Sequence, residues 1–431
     1  RVKVMEKPLK KVEIPLKVED ITIPWFEDLL KKYGYSSADP DYKVTTFGYE
    51  NSKVPMQMLF GNIHHIITNI KRTSPEGEDK VESLGLLLKM RPLAPLPREL
   101  TDDLNTFQRE LLIYERFLPS IEKEMGVKVS PTFLLGHKEG ESFLILTRDV
   151  TQEGFKLKNS QKQMSLQDYE DFVKFLASYH AAGHILDLEE PPATYLEPLG
   201  KKLKCRGEFS EAMRKWTSQL TKVLREMFCQ NPAIEHLHST CCLDPEQSLF
   251  HSYDSCNPAF LTYIQGDTST NNILYKSQTD APTEWRFLNW HLTRRSIGPL
   301  EFLYFMYGNT DTEFRCKYMS LLEELYYRKY IRCLQDYDEG ILNNCNYSFD
   351  KFECECRKLP SFCLSVAIQL TVWRQYPDKG VFTSLIDGQP FDKSLYRKIM
   401  AILKEIGPET AEDNELETSP ITNTSASLPT P

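Results

Sequence analysis

The segment YIQGDTSTNNILY, residues 263–275, joins two apolar runs through a polar loop. The loop contains Gly266, the carboxylate of Asp267 and the amide of Asn272. Because apolar runs flank the loop on both sides, the pattern predicts a connection between two strands that brings a carboxylate and an amide oxygen to one place. A carboxylate after a glycine is also typical of a simple turn, and this alternative stays open.

A third polar side chain follows on the next predicted strand, EWRFLNW, which carries Asn289. In phosphoryl transfer a protein mainly positions two oxygen atoms and neutralises charge. A loop carboxylate that orients the attacking hydroxyl, an amide that binds magnesium and a carboxylate on the following strand would meet this need. Asp267 and Asn272 supply the first two, whereas Asn289 stands where the second carboxylate would be. An ordinary strand residue is the alternative interpretation of Asn289.

A lysine and a glutamate in the first part of the chain point to the same chemistry. Lys89 ends the apolar run LGLLLK, and Glu110 lies in the helix predicted next along the chain. A strand lysine held by a helix glutamate places a cation against phosphate groups in protein kinases. We therefore predict that the two side chains pair inside the first lobe, with an ordinary surface ion pair as the alternative.

The predicted elements that position these residues change in character near residue 150. Residues 42–89 alternate in short apolar runs, typical of an antiparallel meander, and PTFLLGHKEGESFLILTRDV predicts a hairpin. Between them, TDDLNTFQRELLIYERFLPSIEKEMG predicts one long helix. Five apolar residues form the expected buried face of this helix: Leu104, Phe107, Leu111, Tyr114 and Leu118. After residue 150 the pattern is mostly helical, beginning with Ser165 and Asp168 as a capping pair.

This change predicts an α+β, two-lobed architecture, with a small lobe made of an antiparallel sheet and one helix, and a large, mostly helical lobe. The expected boundaries are an extended N-terminal arm at 1–24, the small nucleotide-binding lobe at 25–150, the large catalytic lobe at 151–406 and a disordered tail at 407–431. The tail is expected because it has almost no large apolar side chain to offset the entropy cost of ordering.

Composition limits the function classes. The chain has 431 residues and a formal charge of −9, which argues against a nucleic-acid partner bound through a broad basic face. No apolar run is long enough to cross a membrane. The 11 cysteines are odd in number and all lie between Cys205 and Cys363, which argues against a complete set of intrachain disulfides and favours a reducing, cytoplasmic setting. The chain begins at Arg1, so a missing leader is an open alternative.

A histidine- and cysteine-rich stretch lies at 229–256. Its possible soft ligands are His236, His238, Cys241, Cys242, His251 and Cys256. The spacing matches no common zinc pattern, so an irregular insertion is the preferred interpretation and a metal site is the alternative.

Taken in order, the motifs resemble those of the ecdysteroid kinase-like, or choline-kinase-like, family, a branch of the aminoglycoside phosphotransferase and protein-kinase fold. The resemblance rests on Gly61-Asn62, Lys89 and the motifs FQRELLIYERFLP, TRDV, LASYHAA, QGDTSTNN and LNWH. It extends over residues 25–405.

The resemblance implies a protein-kinase-like fold that uses ATP and magnesium to phosphorylate a small, lipophilic alcohol, such as an ecdysteroid-type steroid. The site residues that it implies are Gly61, Asn62, Lys89 and Glu110 for the nucleotide, Asp267 for catalysis, and Asn272 and Asn289 for the metal.

Three departures from the family pattern fall at the site. Gln265 stands where the family has a histidine, and Asn289 where it has a magnesium-binding aspartate. His64 and His65 occupy the nucleotide loop, where small side chains are expected. An asparagine carbonyl offers magnesium a dipole rather than a charge, which weakens binding by roughly a few kcal/mol at an effective dielectric constant of about 20.

Two functions therefore compete. An ATP-dependent O-phosphotransferase is slightly favoured because the base and one metal ligand remain, while a pseudokinase of the same fold, which binds a ligand or a protein without phosphate transfer, is the alternative. A secreted or metal-bearing structural protein is a third hypothesis, which the odd cysteine count opposes. The sequence does not predict the oligomeric state.

Other aromatic and histidine side chains carry weaker predictions. His180, in ASYHAAGH, is expected to be a packed structural residue. Four aromatic residues of the helical part are candidates either for a lipophilic pocket or for the core: Phe172, Trp216, Tyr304 and Tyr307.

Overall fold

The computed structural model describes residues 13–33, 42–51, 61–73, 78–158, 164–189, 207–228, 231–232, 234–235, 238, 258–278, 281–344, 347–375 and 393–406. Several predictions lie outside these residues. They concern the first part of the N-terminal arm, the tail at 407–431, the side chain of Trp216 and, apart from His238, the candidate soft ligands of the 229–256 stretch.

A five-stranded antiparallel sheet forms the first part of the fold. Its strands are β1 (Tyr42–Asn51), β2 (Asn62–Thr73), β3 (Asp79–Met90), β4 (Phe133–Glu139) and β5 (Ser142–Arg148). Their order across the sheet is β1-β2-β3-β5-β4, and every neighbouring pair is antiparallel. The predicted meander and hairpin are therefore confirmed.

One face of this sheet packs against helix α1 (Ile23–Tyr33). Phe26, Leu29 and Leu30 of α1 are fully buried there, because their helical spacing places them on one side of the helix. On β2, alternate residues from His64 onward are buried against this core, while Ile63 and Ile67 belong to the opposite face.

The chain between β3 and β4 does not form the single helix that was predicted. It forms α2 (Pro95–Asp103) and α3 (Thr106–Leu112), then continues through a π-helical turn at Ile113–Phe117 into α4 (Leu118–Met125).

The prediction of the buried helix face is wrong for its first residue, Leu104. Leu104 is buried, but its backbone N–H donates to Leu100 O at 3.1 Å, so it ends α2 rather than belonging to α3. Asn105 follows with a left-handed φ of 51° and turns the chain between the two helices. Apolar spacing alone did not indicate this break, because Leu104 fits the period of both helices.

The remainder is mostly helical. Its helices are α5 (Leu166–Glu189), α6 (Gly207–Met227), α7 (Gly298–Asn309), α8 (Thr312–Tyr337), α9 (Glu339–Asn344), α10 (Phe349–Arg357), α11 (Pro360–Gln375) and α12 (Lys393–Ile406). The capping pair predicted before α5 is confirmed, since Asp168 N donates to Ser165 Oγ at 3.1 Å and Ser165 N donates to Asp168 Oδ2 at 3.4 Å.

Two small antiparallel sheets lie within this helical part. One pairs β7 (Leu261–Ile264) with β10 (Arg294–Ile297), and the other joins β6 (Lys156–Leu157), β8 (Ile273–Gln278) and β9 (Ala281–Phe287). The polar loop of the opening segment runs from β7 to β8, so each sheet fixes one of its ends.

A second core, rich in aromatic side chains, fills the helical part and extends to α3 and α4. The ring of Phe117 meets those of Tyr179 and Tyr263 edge-on, with centroids 6.5 and 5.3 Å away. The predicted α+β architecture, an antiparallel sheet followed by a mostly helical part, is confirmed. Among the described residues, no helix is long and apolar enough to cross a membrane.

Candidate functional site

The loop between β7 and β8 begins with a turn that only glycine accommodates. Gly266 has a φ of +93°, and a Cβ atom on it would lie 2.4 Å from Leu292 O. The chain then passes through a short 3-10 turn at Thr270–Asn272 and enters β8. The turn therefore places the side chains of Asp267 and Asn272 on one side of the loop.

A buried carboxylate on α7 holds the backbone of this turn. Glu301 accepts hydrogen bonds from the N–H groups of Gln265, at 3.0 Å, and Gly266, at 2.6 Å. It also lies 2.8 Å from His180 Nε2, and His180 Nδ1 lies 2.6 Å from the hydroxyl of Tyr326. The prediction that His180 is a packed structural residue is confirmed, because the side chain is fully buried and supports the loop through Glu301.

Gln265 binds the loop backbone. Its Nε2 donates to the carbonyls of Leu288 and Asn289 at 2.8 and 2.9 Å, and its Oε1 accepts from Asp267 N at 2.7 Å. The amide thereby links the loop to the chain segment after β9. The Gln265 amide acts as both donor and acceptor, so these contacts do not require an imidazole.

The Asp267 carboxylate is partly buried and hydrogen-bonded at both oxygens. Oδ1 accepts from the hydroxyl of Tyr304 at 2.8 Å, and Oδ2 accepts from Asn272 Nδ2 at 2.6 Å. Burial raises the pKa of Asp267 above its ordinary value, while the hydrogen bonds from Tyr304, Ser269 and Asn272 oppose that rise. A carboxylate with a raised pKa and defined donors has the properties of a general base.

Asn272 and Asn289 bond to each other. Asn289 Nδ2 donates to Asn272 Oδ1 at 2.7 Å, so the two amides and Asp267 form a continuous hydrogen-bonded chain. The expectation that Asn289 lies on a strand is wrong. It follows the end of β9 with a φ of 56°, a left-handed conformation that asparagine tolerates better than most residues.

The residues at this position do not fit magnesium. The Asn272 carbonyl, which would face a cation, accepts a hydrogen bond from an NH₂ group of Asn289, and that residue brings no negative charge. Within the described part of the chain, no group of three or more His, Cys, Asp or Glu side chains could hold a metal ion. Magnesium prefers carboxylate and water oxygens in octahedral geometry, and this pair of amides supplies no negative charge.

The predicted pairing of Lys89 with Glu110 is confirmed. Lys89 Nζ lies 2.6 Å from Glu110 Oε2, and both side chains are more than nine-tenths buried. Lys89 Nζ also lies 3.4 Å from Nδ1 of His291, whose pKa is held well below its ordinary range by burial and by the lysine charge. Gly61 leaves room for the lysine, because a Cβ there would lie 2.6 Å from Lys89 Cε.

A cavity of about 300 Å³ lies between the five-stranded sheet and the helical part of the fold, which is its second lobe. Lys89, Glu110 and Asn289 line it, together with aliphatic residues from both sides. Four other predicted site residues are outside this lining: Gly61, Asn62, Asp267 and Asn272. Asp267 is connected to the cavity wall through the two asparagines and through Gln265, and it is not itself part of the lining beside Lys89.

The two histidines of the predicted nucleotide loop lie on β2 and face opposite ways. His65 Nδ1 lies 3.0 Å from Asp149 Oδ2, both residues line the cavity, and this contact raises the pKa of His65. His64 Nδ1 lies 2.7 Å from Asn51 Oδ1, and burial lowers the pKa of His64. The side chain of His65 and its bond to Asp149 therefore occupy space at the edge of the cavity.

The aromatic candidates divide between core and site. Phe172 is fully buried among other aromatic rings, and Tyr307 stacks beneath Arg315, whose Cζ is 4.5 Å from the ring centroid. Among the three candidates whose side chains the structure describes, Tyr304 alone reaches the site, through its bond to Asp267.

Sequence reasoning missed the contributions of α7. Glu301, Tyr304 and Asn309 of this one helix all bond the loop, and Asn309 Oδ1 accepts from Thr270 N at 2.9 Å. A signal was present, because Glu301 is the single charged residue in GPLEFLYFMYGN. An acid in so apolar a helix must be buried with donors, and the loop supplies them.

Comparison with known protein families gives one match. The sequence pattern described as the ecdysteroid kinase-like family matches residues 62–339, more than half of the chain. No curated protein matches the chain in sequence.

Similar solved structures include three kinases or phosphotransferases. A microcompartment-associated aminopropanol kinase is 10% identical, with a TM-score of 0.41 over 89% of this chain and 95% of that one. A Plasmodium vivax ethanolamine kinase is 11% identical, with a TM-score of 0.38 over 89% and 87%. An aminoglycoside 2'-phosphotransferase-IIIa in complex with GDP is 10% identical, with a TM-score of 0.39 over 86% and 96%.

Proposed function

The chain belongs to the ecdysteroid kinase-like family, and from this premise we propose that it is a ligand-binding member of the family in which phosphoryl transfer is lost or strongly reduced. The observation that carries the proposal is the hydrogen bond from Asn289 to Asn272. It joins two neutral amides where phosphoryl transfer requires a cation held by negative charge.

The size of the electrostatic effect supports this choice. Two unit charges 4 Å apart interact by roughly 4 kcal/mol at an effective dielectric constant of about 20. Replacing a carboxylate by an amide removes most of this attraction for a divalent ion. The hydrogen bond between Asn289 and Asn272 must also be broken before Asn272 can turn its oxygen to a cation. This adds the cost of losing a buried hydrogen bond.

A second function has its own supporting observation. Asp267 is held by Tyr304 and Asn272 as a general base would be, and Lys89 is held by Glu110 as a phosphate-binding lysine would be. These side chains suit an ATP-dependent O-phosphotransferase acting on a small, lipophilic alcohol, such as an ecdysteroid-type steroid. In that reaction Lys89 would hold the phosphate groups, and Asp267 would accept the hydroxyl proton as the alcohol oxygen attacks the γ-phosphorus of ATP. The bond from that phosphorus to the bridging oxygen would break, and ADP would leave.

The setting we propose for either function is the cytoplasm. Five described cysteines carry free thiols: Cys316, Cys333, Cys354, Cys356 and Cys363. Free thiols in this number suit a reducing compartment.

The substitution Asn289→Asp tests the proposal. It restores a carboxylate beside Asn272, so we expect ATP binding that depends on magnesium to appear in the variant and to be absent from the wild-type chain, measured by calorimetry. A gain of about 1.4 kcal/mol is tenfold in affinity and is readily measured. Asn271→Asp is the matched control, because it adds the same charge elsewhere in the loop and should give no gain.

The same samples separate the two functions. Radiolabelled ATP is incubated with a panel of small alcohols, and transfer of the label is followed in the wild type, both variants and a third variant, Asp267→Ala. Label transferred by the wild-type chain at a rate that Asp267→Ala abolishes would overturn the proposal in favour of the phosphotransferase.

A further inference from the structure

The cavity between the lobes has aliphatic walls on both sides. Six aliphatic residues line it: Ile63, Leu87 and Ile145 from the five-stranded sheet, and Leu157, Leu274 and Leu288 from the second lobe. Most of its lining surface is apolar. Such walls favour a ligand that leaves water by burying apolar surface.

Four charged residues of the described cavity lining form two pairs. Lys89 pairs with Glu110 at 2.6 Å, and His65 pairs with Asp149 at 3.0 Å. The remaining charged residue of the lining is Glu50, which is an acid. The lining therefore presents more carboxylates than cations to anything that enters.

A polyphosphate would be opposed by these charges. The two ion pairs give the described lining no net positive charge and Glu50 adds a negative one, so the several negative charges of a polyphosphate would be unfavourable in this partly buried site without a bound cation. A divalent cation normally offsets this repulsion, but the bond between Asn272 and Asn289 occupies the groups that would hold one. Lys89 and His65, each already paired with a carboxylate, are the cationic groups that the described lining offers to a ligand.

From these observations we propose that the cavity binds an uncharged, largely apolar small molecule without a metal ion. The inference rests on the proposed function, since it takes the loss of a magnesium site as given. It goes further because it assigns the cavity to this apolar ligand rather than to a nucleoside triphosphate. The volume of about 300 Å³ is at the lower end of the range for small-molecule sites and suits a compact ligand.

Binding of Nile red, an uncharged dye that fluoresces in apolar surroundings, tests the inference on the full chain. We expect saturable binding of one dye per chain. Ile63→Asp should weaken it by about tenfold or more, because the variant places a charge in the wall of the cavity. Ile67→Asp is the matched control: it lies on the same strand and on the same face, but it is exposed and outside the cavity, and should leave dye affinity unchanged.

A second cavity variant distinguishes a specific loss of dye binding from misfolding. Leu157→Asp approaches the cavity from the other lobe at a position 37% exposed, where an added charge is tolerated by the fold, and it should weaken dye binding as Ile63→Asp does. Magnesium-bound ATP at millimolar concentration should not displace the dye.

Each outcome bears on the inference. Dye affinity that is unchanged in both cavity variants, or the absence of dye binding, overturns it while leaving the proposed function intact. Displacement of the dye by magnesium-bound ATP overturns it as well, and contradicts the absence of magnesium-dependent ATP binding that we expect of the wild-type chain. If displacement is accompanied by phosphate transfer in the wild-type chain, the proposed function also fails.

Discussion

At residue 289 the chemistry of the site depends on a single group, an NH₂ in the place of a carboxylate oxygen. The amide nitrogen of Asn289 donates to Asn272, and that bond continues through Asn272 to Asp267. A carboxylate could not donate in this way and would repel the Asn272 oxygen unless a cation lay between them. The side chains at positions 267, 272 and 289 thus hydrogen-bond to one another when residue 289 is an amide, and they require an ion between them when it is an acid.

Gly266 is a second position where a single added atom has a large effect, here on stability, and this effect can be predicted. Gly266→Ala should lower the free energy of unfolding by roughly 3 kcal/mol, because the added Cβ combines a strained φ of +93° with a 2.4 Å approach to the Leu292 carbonyl. Gly126→Ala is the control, since Gly126 has a φ of +66° but no atom within 4 Å of its Cβ position, and should cost only about 1 kcal/mol. Urea unfolding of both variants measures the difference, and equal losses would show that the carbonyl yields to the methyl group.

At the scale of elements, strand β2 carries two neighbouring histidines with opposite environments. The strand alternation buries His64 beside Asn51 and turns His65 toward Asp149. The hydrogen bond to Asp149 raises the pKa of His65, whereas burial lowers that of His64. One strand therefore presents one imidazole that favours its charged form and one that favours its neutral form.

The opposite shifts predict opposite pH dependences of stability. A raised pKa means that the His65 contribution is fully present below the ordinary pKa of 6.5 and is lost as pH rises through the folded pKa. His64, with its lowered pKa, contributes stability above 6.5 that is lost as pH falls through the folded pKa. His65→Gln should therefore lower the melting temperature more at about pH 5.5 than at about pH 9, and His64→Gln should show the reverse. Thermal melts across this range check both, and parallel profiles for the two variants would contradict the assignment.

At the scale of the whole molecule, the order of motifs along the chain was enough to predict the sheet, the helical part and the pairing of Lys89 with Glu110. Those features depend on apolar periodicity and on a spacing that the family pattern supplies. The position of Asp267 behind the asparagines could not be predicted, because it depends on how two side-chain amides orient once packed. Glu301 was missed for a related reason: its partners on the loop and at His180 come together only in the folded chain.

The Lys89–Glu110 pair also joins parts of the molecule that are built on separate cores. Lys89 lies on β3, whose Leu88 and Met90 belong to the core against α1, while Glu110 lies on α3, whose Phe107 belongs to the aromatic core of the helical part. The pair is buried and Lys89 also approaches His291 of the second lobe. Its loss should therefore affect the stability of both parts together.

A double-mutant cycle on this pair is the corresponding prediction. Lys89→Met and Glu110→Gln should each lower the free energy of unfolding by about 3–5 kcal/mol, because each leaves the opposite charge buried without its partner. The double variant should lose much less than the sum, since no unpaired charge remains, and the cycle should give a coupling of at least about 1 kcal/mol. Lys128→Met with Glu122→Gln is the matched control, a pair with the same 2.6 Å separation in which the lysine side chain is 60% exposed, and its coupling should be below about 1 kcal/mol. Equal coupling in the two cycles, measured by urea unfolding, would mean that burial adds nothing to the Lys89–Glu110 pair, and the pair would then not link the two cores.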